Sequence, residues 1–148
     1  MKTIDEIQKG IIEEFNAYSD SFDQYVHLIE KEKELIPFTQ EARKIASIVQ
    51  GCQSQVWIST SCKDGIFEFS GISQSAIIKG VIALLEQLFN GQPCGEVADA
   101  EIFLLEETRF LDHFESERAK GVRRMIWMLQ DAARCGKRQL KQTERTDC

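Results

Sequence analysis

Three observations predict an α+β fold in which helices pack on one face of a three-stranded antiparallel sheet. Apolar residues recur at helical spacing near the start of the chain and again over its second half. Between these stretches, two short runs alternate apolar with polar residues, as half-buried strands do. An Asp64-Gly65 pair separates the two runs and is typical of a tight hairpin turn.

The N-terminal part predicts two helices. Thr3 has the residue type of an N-cap. The apolar positions at helical spacing are Ile4, Ile7, Ile11 and Phe15, then Phe22, Tyr25, Val26 and Ile29. We expect the first helix to end near Tyr18 and the second near Glu34. The Ile36-Pro37 pair then predicts an extended turn, because a residue before proline avoids the helical conformation.

The middle of the chain predicts the sheet. Val56 and Ile58 alternate with Trp57, and a similar alternation over residues 66–69 follows the Asp64-Gly65 turn, so these runs form a hairpin. An isolated hairpin is marginal in water. The β-branched run 45–49 is therefore expected to be the third strand, with residues 51–55 as the loop between the first two strands.

The second half predicts two further helices. Ser73 is expected to cap the first of them, which carries a wide apolar face and ends at Asn90-Gly91. The last helix is expected to run from Ser116, as N-cap, to Gly136. Residues 137–148 are almost wholly polar and are expected to be a disordered tail. The organisation is thus a single domain over residues 1–136 followed by that tail.

Composition narrows the class of protein. A chain of 148 residues with 43% apolar residues can bury a core without a disulfide or metal. Residues 1–117 carry 9 basic and 21 acidic side chains, whereas residues 118–148 carry 9 and 3, and a mostly acidic body disfavours nucleic acid. No window is apolar enough to predict a membrane span, and the N-terminus does not resemble a signal peptide. We therefore expect a cytoplasmic protein.

The chain contains five cysteines, an odd number, with no C-x-x-C spacing among them. In a cytoplasmic protein this predicts thiols and argues against a disulfide framework. Cys62, Cys94, Cys135 and Cys148 have no motif around them, and each is expected to be a bystander thiol. The two histidines, His27 and His113, are expected to be surface or hydrogen-bonded residues and not metal ligands.

Cys52 differs in its surroundings. Gly51 precedes it, which frees the backbone, and three uncharged polar residues follow it, Gln53, Ser54 and Gln55. A loop of this kind can present a thiol at the rim of the protein surface. The residues alone are also compatible with a second interpretation, in which Cys52 is a small, buried apolar side chain.

The eight residues 51–58, with the sequence GCQSQVWI, resemble the signature of the SufE/CsdE family of sulfur acceptor proteins. The resemblance continues through Ser73 and residues 77–81. It extends to residues 111–121, where Arg118 and Gly121 match the motif's arginine and glycine. The chain departs from the family pattern at Gln92-Pro93-Cys94 and at Ser116-Glu117. Overall, the similarity runs from about residue 20 to residue 134.

This resemblance implies an α+β fold of the SufE and IscU type and a function as a sulfur shuttle. The chain would take persulfide sulfur from a cysteine desulfurase onto Cys52 and stimulate that enzyme, for iron-sulfur cluster assembly. The partners implied are a desulfurase of the SufS or CsdA type, which carries the pyridoxal phosphate, and a downstream scaffold or sulfur receiver. No metal or cofactor is implied on this chain, since thiolate attack on a divalent sulfur requires neither. Such a protein is an accessory carrier with sulfurtransferase-like chemistry, and its status as an enzyme is left open.

The resemblance also implies roles for the neighbours of Cys52. Gly51, Gln53, Ser54, Gln55 and Trp57 would shape the loop or contact the desulfurase. Arg118 would support the site, either as an ion-pair residue at the start of the last helix or as a charge beside the thiolate. A carried persulfide needs shelter from bystander thiols. Residues expected to form that shelter are Val56, Trp57, Ile77 and Val81.

Two alternatives remain. The chain could be an iron-sulfur scaffold or zinc-binding protein that uses Cys52, Cys62 and Cys94 as ligands. It could also be an adaptor that stimulates a desulfurase allosterically without carrying sulfur.

Overall fold

The α+β architecture is confirmed by the computed structural model, which describes residues 2–49 and 55–141, with side chains as far as residue 136. Within these ranges the chain forms seven α-helices, two short 3-10 helices and three strands. The helices are α1 (Ile4–Asn16), α2 (Ser21–Glu30), α3 (Gln40–Ile45), α4 (Ala76–Phe89), α5 (Cys94–Asp99), α6 (Leu104–Glu107) and α7 (Ser116–Lys141). The 3-10 helices are Lys31–Glu34 and Phe110–His113, and the strands are β1 (Ser47–Ile48), β2 (Val56–Lys63) and β3 (Ile66–Ser73).

The sheet is antiparallel, with strand order β1-β2-β3. The predicted hairpin is confirmed: β2 pairs with β3 from Val56 opposite Ser73 to Lys63 opposite Ile66. Asp64 and Gly65 both have positive φ, 54° and 79°, as the two central residues of a type I′ hairpin turn require. β1 is shorter than expected, because the preceding residues 40–45 form α3.

Helix α3 also changes the expected layering. Most of the core lies on one side of the sheet, where Ile58 and Phe69 contact the larger helices. Ser59 and Ser70 alternate with these two residues and so face the opposite side. Both serines line a groove with α3, which therefore covers part of the second face.

The prediction that Ser73 caps α4 is wrong. Strand β3 continues through Ser73, which is buried and pairs with Val56. Its hydroxyl oxygen accepts a hydrogen bond from the N–H of Ser75. Ser75 is the N-cap instead, and its side chain accepts from the N–H of Ile78. The expected end of the helix is confirmed, since Asn90 is the C-cap and Gly91 has a φ of 84°.

The expected stop at Gly136 is also wrong. Ser116 is the first residue of α7 and not its N-cap, since the N–H of Ala119 donates to the carbonyl of Glu115. The helix then passes through Gly136 and continues to Lys141. Gly136 is buried against the side chain of Cys62, so its lack of a side chain serves close packing and not helix termination. The proposed tail therefore contains five helical residues, and residues 142–148 lie outside the described part of the chain.

Two charged residues of the described part of the chain are buried, Lys31 and Glu86, and Lys31 forms ion pairs with Glu14 and Glu34. Glu86 of α4 is 4% exposed, and its Oε1 accepts a hydrogen bond from the N–H of Ile36 at 3.1 Å. Its Oε2 is buried and has no hydrogen-bond partner among the described residues. Burial raises the pKa of the Glu86 carboxyl from 4.5 to about 7, against the lowering effect of the Ile36 hydrogen bond.

The raised pKa of Glu86 predicts a pH dependence of stability. Between pH 4.5 and 7 the unfolded chain releases this proton while the folded protein retains it, so the free energy of unfolding falls as pH rises. Relative to Glu86→Gln, we expect the wild type to lose about 2 kcal/mol between pH 5 and pH 8. Urea unfolding of both proteins at these two pH values measures the difference. If the difference in free energy of unfolding between wild type and Glu86→Gln were the same at both pH values, the assigned role of Glu86 would be contradicted.

Candidate functional site

The candidate site is the connection between β1 and β2. Its ends are held together, because the N–H of Val49 donates to the carbonyl of Val56 at 2.8 Å. Both valines are buried, at 3% and 0% exposure, so the core anchors both ends of the connection. The chain leaves and re-enters the sheet at neighbouring positions, with residues 50–55 between them.

The same end of the sheet carries the start of α4. Ser73 is the residue of β3 opposite Val56, and the Ser75 cap follows two residues later. Ile77 and Val81, on the first turns of α4, are buried in the same core cluster as Val56. This cluster places an apolar base beneath the end of the sheet from which the connection leaves.

The expected site residues divide into two groups. Gly51, Cys52, Gln53 and Ser54 lie outside the described residues, so their expected roles stay predictions. Gln55 and Trp57 are described, and both are exposed. Trp57 is 40% exposed and pairs with Ile48 of β1 and Ile72 of β3. It presents a large apolar surface two residues from the connection, whereas the other three residues of the expected shelter are buried core residues.

Arg118 lies in the first turn of α7. Its Nε is buried and has no hydrogen-bond partner within residues 2–49 and 55–136. The adjacent acid, Glu117, forms an ion pair with Lys120 at 3.3 Å. Arg118 therefore has a buried donor that the described fold leaves unused, which is unusual for a buried polar group.

The expectation that the cysteines are thiols is wrong for Cys62, Cys94 and Cys135. Cys62, near the end of β2, and Cys94, the first residue of α5, form a disulfide across 32 residues of sequence. Cys135 of α7 is disulfide-bonded as well. Spacing could not reveal the Cys62–Cys94 pairing, because it depends on the contact between the sheet and α5. A hydrogen bond from the N–H of Cys94 to the carbonyl of Gly65 brings the start of α5 beside the hairpin turn.

This disulfide bears on the metal-binding alternative, which requires Cys62 and Cys94 as thiolate ligands. Their sulfurs are bonded to each other in this structure. Among the described residues, no group of three or more His, Cys, Asp and Glu side chains is arranged to hold a metal ion. In this structure neither Cys62 nor Cys94 is therefore a free thiolate ligand.

The histidines are hydrogen-bonded, as expected. His27 bonds to Glu14 and its ring lies against Phe15 and Tyr18. His113 bonds to the hydroxyl of Ser21 at 2.9 Å. Both lie in the packing between α1, α2 and the segment 110–113.

Together, these features define a class: small α+β proteins in which a cysteine lies in the connection between the first two strands of a three-stranded antiparallel sheet. The family model for SufE, described as an Fe-S metabolism associated domain, matches residues 9–133. This chain belongs to the SufE family. The match includes the whole connection between β1 and β2 and the start of α7, and it supports a role in Fe-S metabolism.

Curated relatives agree with this assignment. An uncharacterised SufE-like protein of Rhizobium etli is 30% identical over 129 residues, covering 84% of this chain and 87% of the relative. A second, from Synechocystis sp., is 32% identical over 123 residues, covering 83% of this chain and 77% of the relative. A third, from Rhizobium meliloti, is 30% identical over 128 residues, covering 83% of this chain and 91% of the relative.

A solved structure has the same fold. The solution structure of a hypothetical protein from Thermus thermophilus superimposes with a TM-score of 0.75 at 16% sequence identity. The alignment covers 88% of this chain and 95% of that protein. In the described part of this chain, no helix combines the length and the apolar character needed to cross a bilayer.

Proposed function

We propose that this protein accepts sulfur on Cys52 from the persulfide of a cysteine desulfurase and carries it toward iron-sulfur cluster assembly. The observation that carries the proposal is the SufE match over residues 9–133, which spans the cysteine motif at residues 51–58. The anchored ends of the connection support it, since Val49 and Val56 hold the flanks of a short segment at one end of the sheet.

The transfer is a thiol exchange. The Cys52 thiolate attacks the terminal sulfur of the protonated desulfurase persulfide and forms a new S–S bond. The original S–S bond breaks, and its electron pair leaves with the catalytic cysteine of the desulfurase. The proton stays with the transferred sulfur, so Cys52 becomes a persulfide and the enzyme regains a thiolate. Neither a metal nor an added redox agent is consumed.

Two described side chains have supporting roles in this proposal. Arg118 carries a guanidinium group, and a cation beside a cysteine favours the thiolate over the thiol. Its unpartnered buried Nε leaves donor capacity for such a role. Trp57 offers exposed aromatic surface beside the connection, and exposed aromatic residues are common anchors of protein interfaces. The partner they serve is a desulfurase of the SufS or CsdA type.

The proposal is tested by intact mass after mixing the protein with a desulfurase and free cysteine. We expect the wild type to gain the mass of one sulfur atom, and a reductant to remove it. Cys52→Ser should gain nothing, because its hydroxyl is not ionised and does not attack sulfane sulfur. Gly10→Ala, a substitution at an exposed position of α1, is the control and should behave as the wild type. Sulfur addition that persists in Cys52→Ser would contradict the proposal.

A further inference from the structure

The Cys62–Cys94 disulfide is asymmetric in its exposure. Cys94 is 1% exposed and belongs to the core cluster, whereas Cys62 is only partly buried. The proposed sulfur transfer uses neither residue. Thiol exchange requires an attacking sulfur to approach one disulfide sulfur along the S–S axis, from the side opposite the other sulfur. Burial blocks such an approach to Cys94, so Cys62 is the sulfur that a nucleophile can reach.

A cavity leads to Cys62. It has a volume of about 460 Å³ and lies between β2 and α7. Cys62 lines it together with Thr60, Ser61, Trp127 and Asp131, and Cys94 does not. Cys135 lines the same cavity from α7. A volume of this size lies within the range of small-molecule sites in proteins. Trp127 is 57% exposed, so the cavity has an aromatic wall that borders solvent.

We propose that the Cys62–Cys94 disulfide is an exchange site for low-molecular-weight thiols, which attack the Sγ of Cys62 from this cavity. A thiolate forms a mixed disulfide with Cys62, the protein S–S bond breaks, and its electron pair leaves on the Sγ of Cys94. A second molecule of the thiol attacks the mixed disulfide and releases the Cys62 thiolate and an oxidised small disulfide. Two small thiols are thereby oxidised, and the protein disulfide is reduced by two electrons.

The reverse reaction gives the buried cysteine its role. The Cys62 thiolate attacks one sulfur of a small disulfide, forms a mixed disulfide with it and releases the other half as a small thiolate. Cys94 then attacks the Cys62 sulfur, expels the small thiol and closes the protein disulfide. Cys62 is thus the entry residue and Cys94 the resolving residue. The exchange does not depend on Cys52, so it goes beyond the sulfur-acceptor function and can be measured without it.

The test uses the Cys52→Ser chain, so that the expected sulfur-carrying thiol does not react. The reduced protein is mixed with 2-hydroxyethyl disulfide and followed by mass spectrometry with peptide mapping. With Cys94 present, we expect rapid closure of the Cys62–Cys94 disulfide and no lasting adduct. With Cys94→Ser added, a stable hydroxyethylthio adduct should accumulate on Cys62. Cys94→Ala is used in its place if serine disturbs the buried position.

The matched control adds Cys62→Ser and leaves Cys94 as the only member of the pair. Its buried sulfur should acquire the adduct at least about tenfold more slowly than Cys62 does in the Cys94 variant. Equal rates on the two sulfurs would overturn the proposal. An adduct on Cys135 in place of Cys62, an adduct that persists on Cys62 beside an intact Cys94, or failure of the pair to close would do the same.

Discussion

Cys52→Ser is expected to abolish stimulation of a cysteine desulfurase, so that turnover returns to the rate of the desulfurase alone. In the proposed mechanism the acceptor thiolate removes sulfur from the enzyme's persulfide, and each turnover then restores the catalytic thiolate. A serine hydroxyl cannot perform this exchange. Release of alanine from cysteine, or of sulfide in the presence of a reductant, measures the rate with and without the variant.

This measurement separates a carrier from an adaptor. An adaptor acts through binding alone, so its Cys52→Ser variant would retain full stimulation. Such an outcome would contradict the proposed carrier role even if the variant still bound the enzyme. The variant must also be folded, and we expect its free energy of unfolding to lie within about 0.5 kcal/mol of the wild-type value. Gly10→Ala is again the control and should stimulate normally.

Gly80→Ala is expected to cause the largest loss of stability among the substitutions considered. Gly80 lies in α4 where this helix crosses α2, and a Cβ atom there would overlap the backbone carbonyl of Leu28. A backbone oxygen cannot rotate away as a flexible side chain can, so the two helices must separate. We expect a loss of about 3 kcal/mol, at the upper end of the usual cost of overpacking.

Gly10→Ala is the matched control, because it makes the same substitution inside α1. Apart from its chain neighbours and the backbone of its own helix, no described atom lies within 4 Å of the Cβ position at Gly10, which is exposed. Alanine has the higher helix propensity, so this variant should gain about 0.5 to 1 kcal/mol. Thermal and urea unfolding of both variants test whether the two effects have opposite signs. If Gly80→Ala were as stable as the wild type, the close packing of α4 at Gly80 against the Leu28 carbonyl of α2 would be contradicted.

Much of the fold follows from local sequence. The Asp64-Gly65 pair between alternating runs predicted the hairpin, because few residue pairs adopt positive φ at both central positions of a turn. Thr3 predicted the start of α1, where its side chain and that of Glu6 form a capping box. The motif at residues 51–58 predicted the family.

The misassigned boundaries share one cause. Ser73 and Gly136 have the residue types of a cap and a stop, but each is buried against a distant segment that decides its role. Helix α3 was missed because Thr39 caps a single short helix without a repeated apolar pattern. The local sequence defines the residues at which a helix or strand can begin or end, and tertiary packing selects among them.

The sequence by itself determined the fold class, the family and the cysteine on which the proposed function depends, because turn chemistry, apolar periodicity and the motif are all local. Only the tertiary structure decided that Cys62 pairs with Cys94, that the carboxyl of Glu86 lies within the core, and that Gly80 lies against the backbone of α2. Each of these depends on residues far apart in the chain that become neighbours only when helices and sheet pack together.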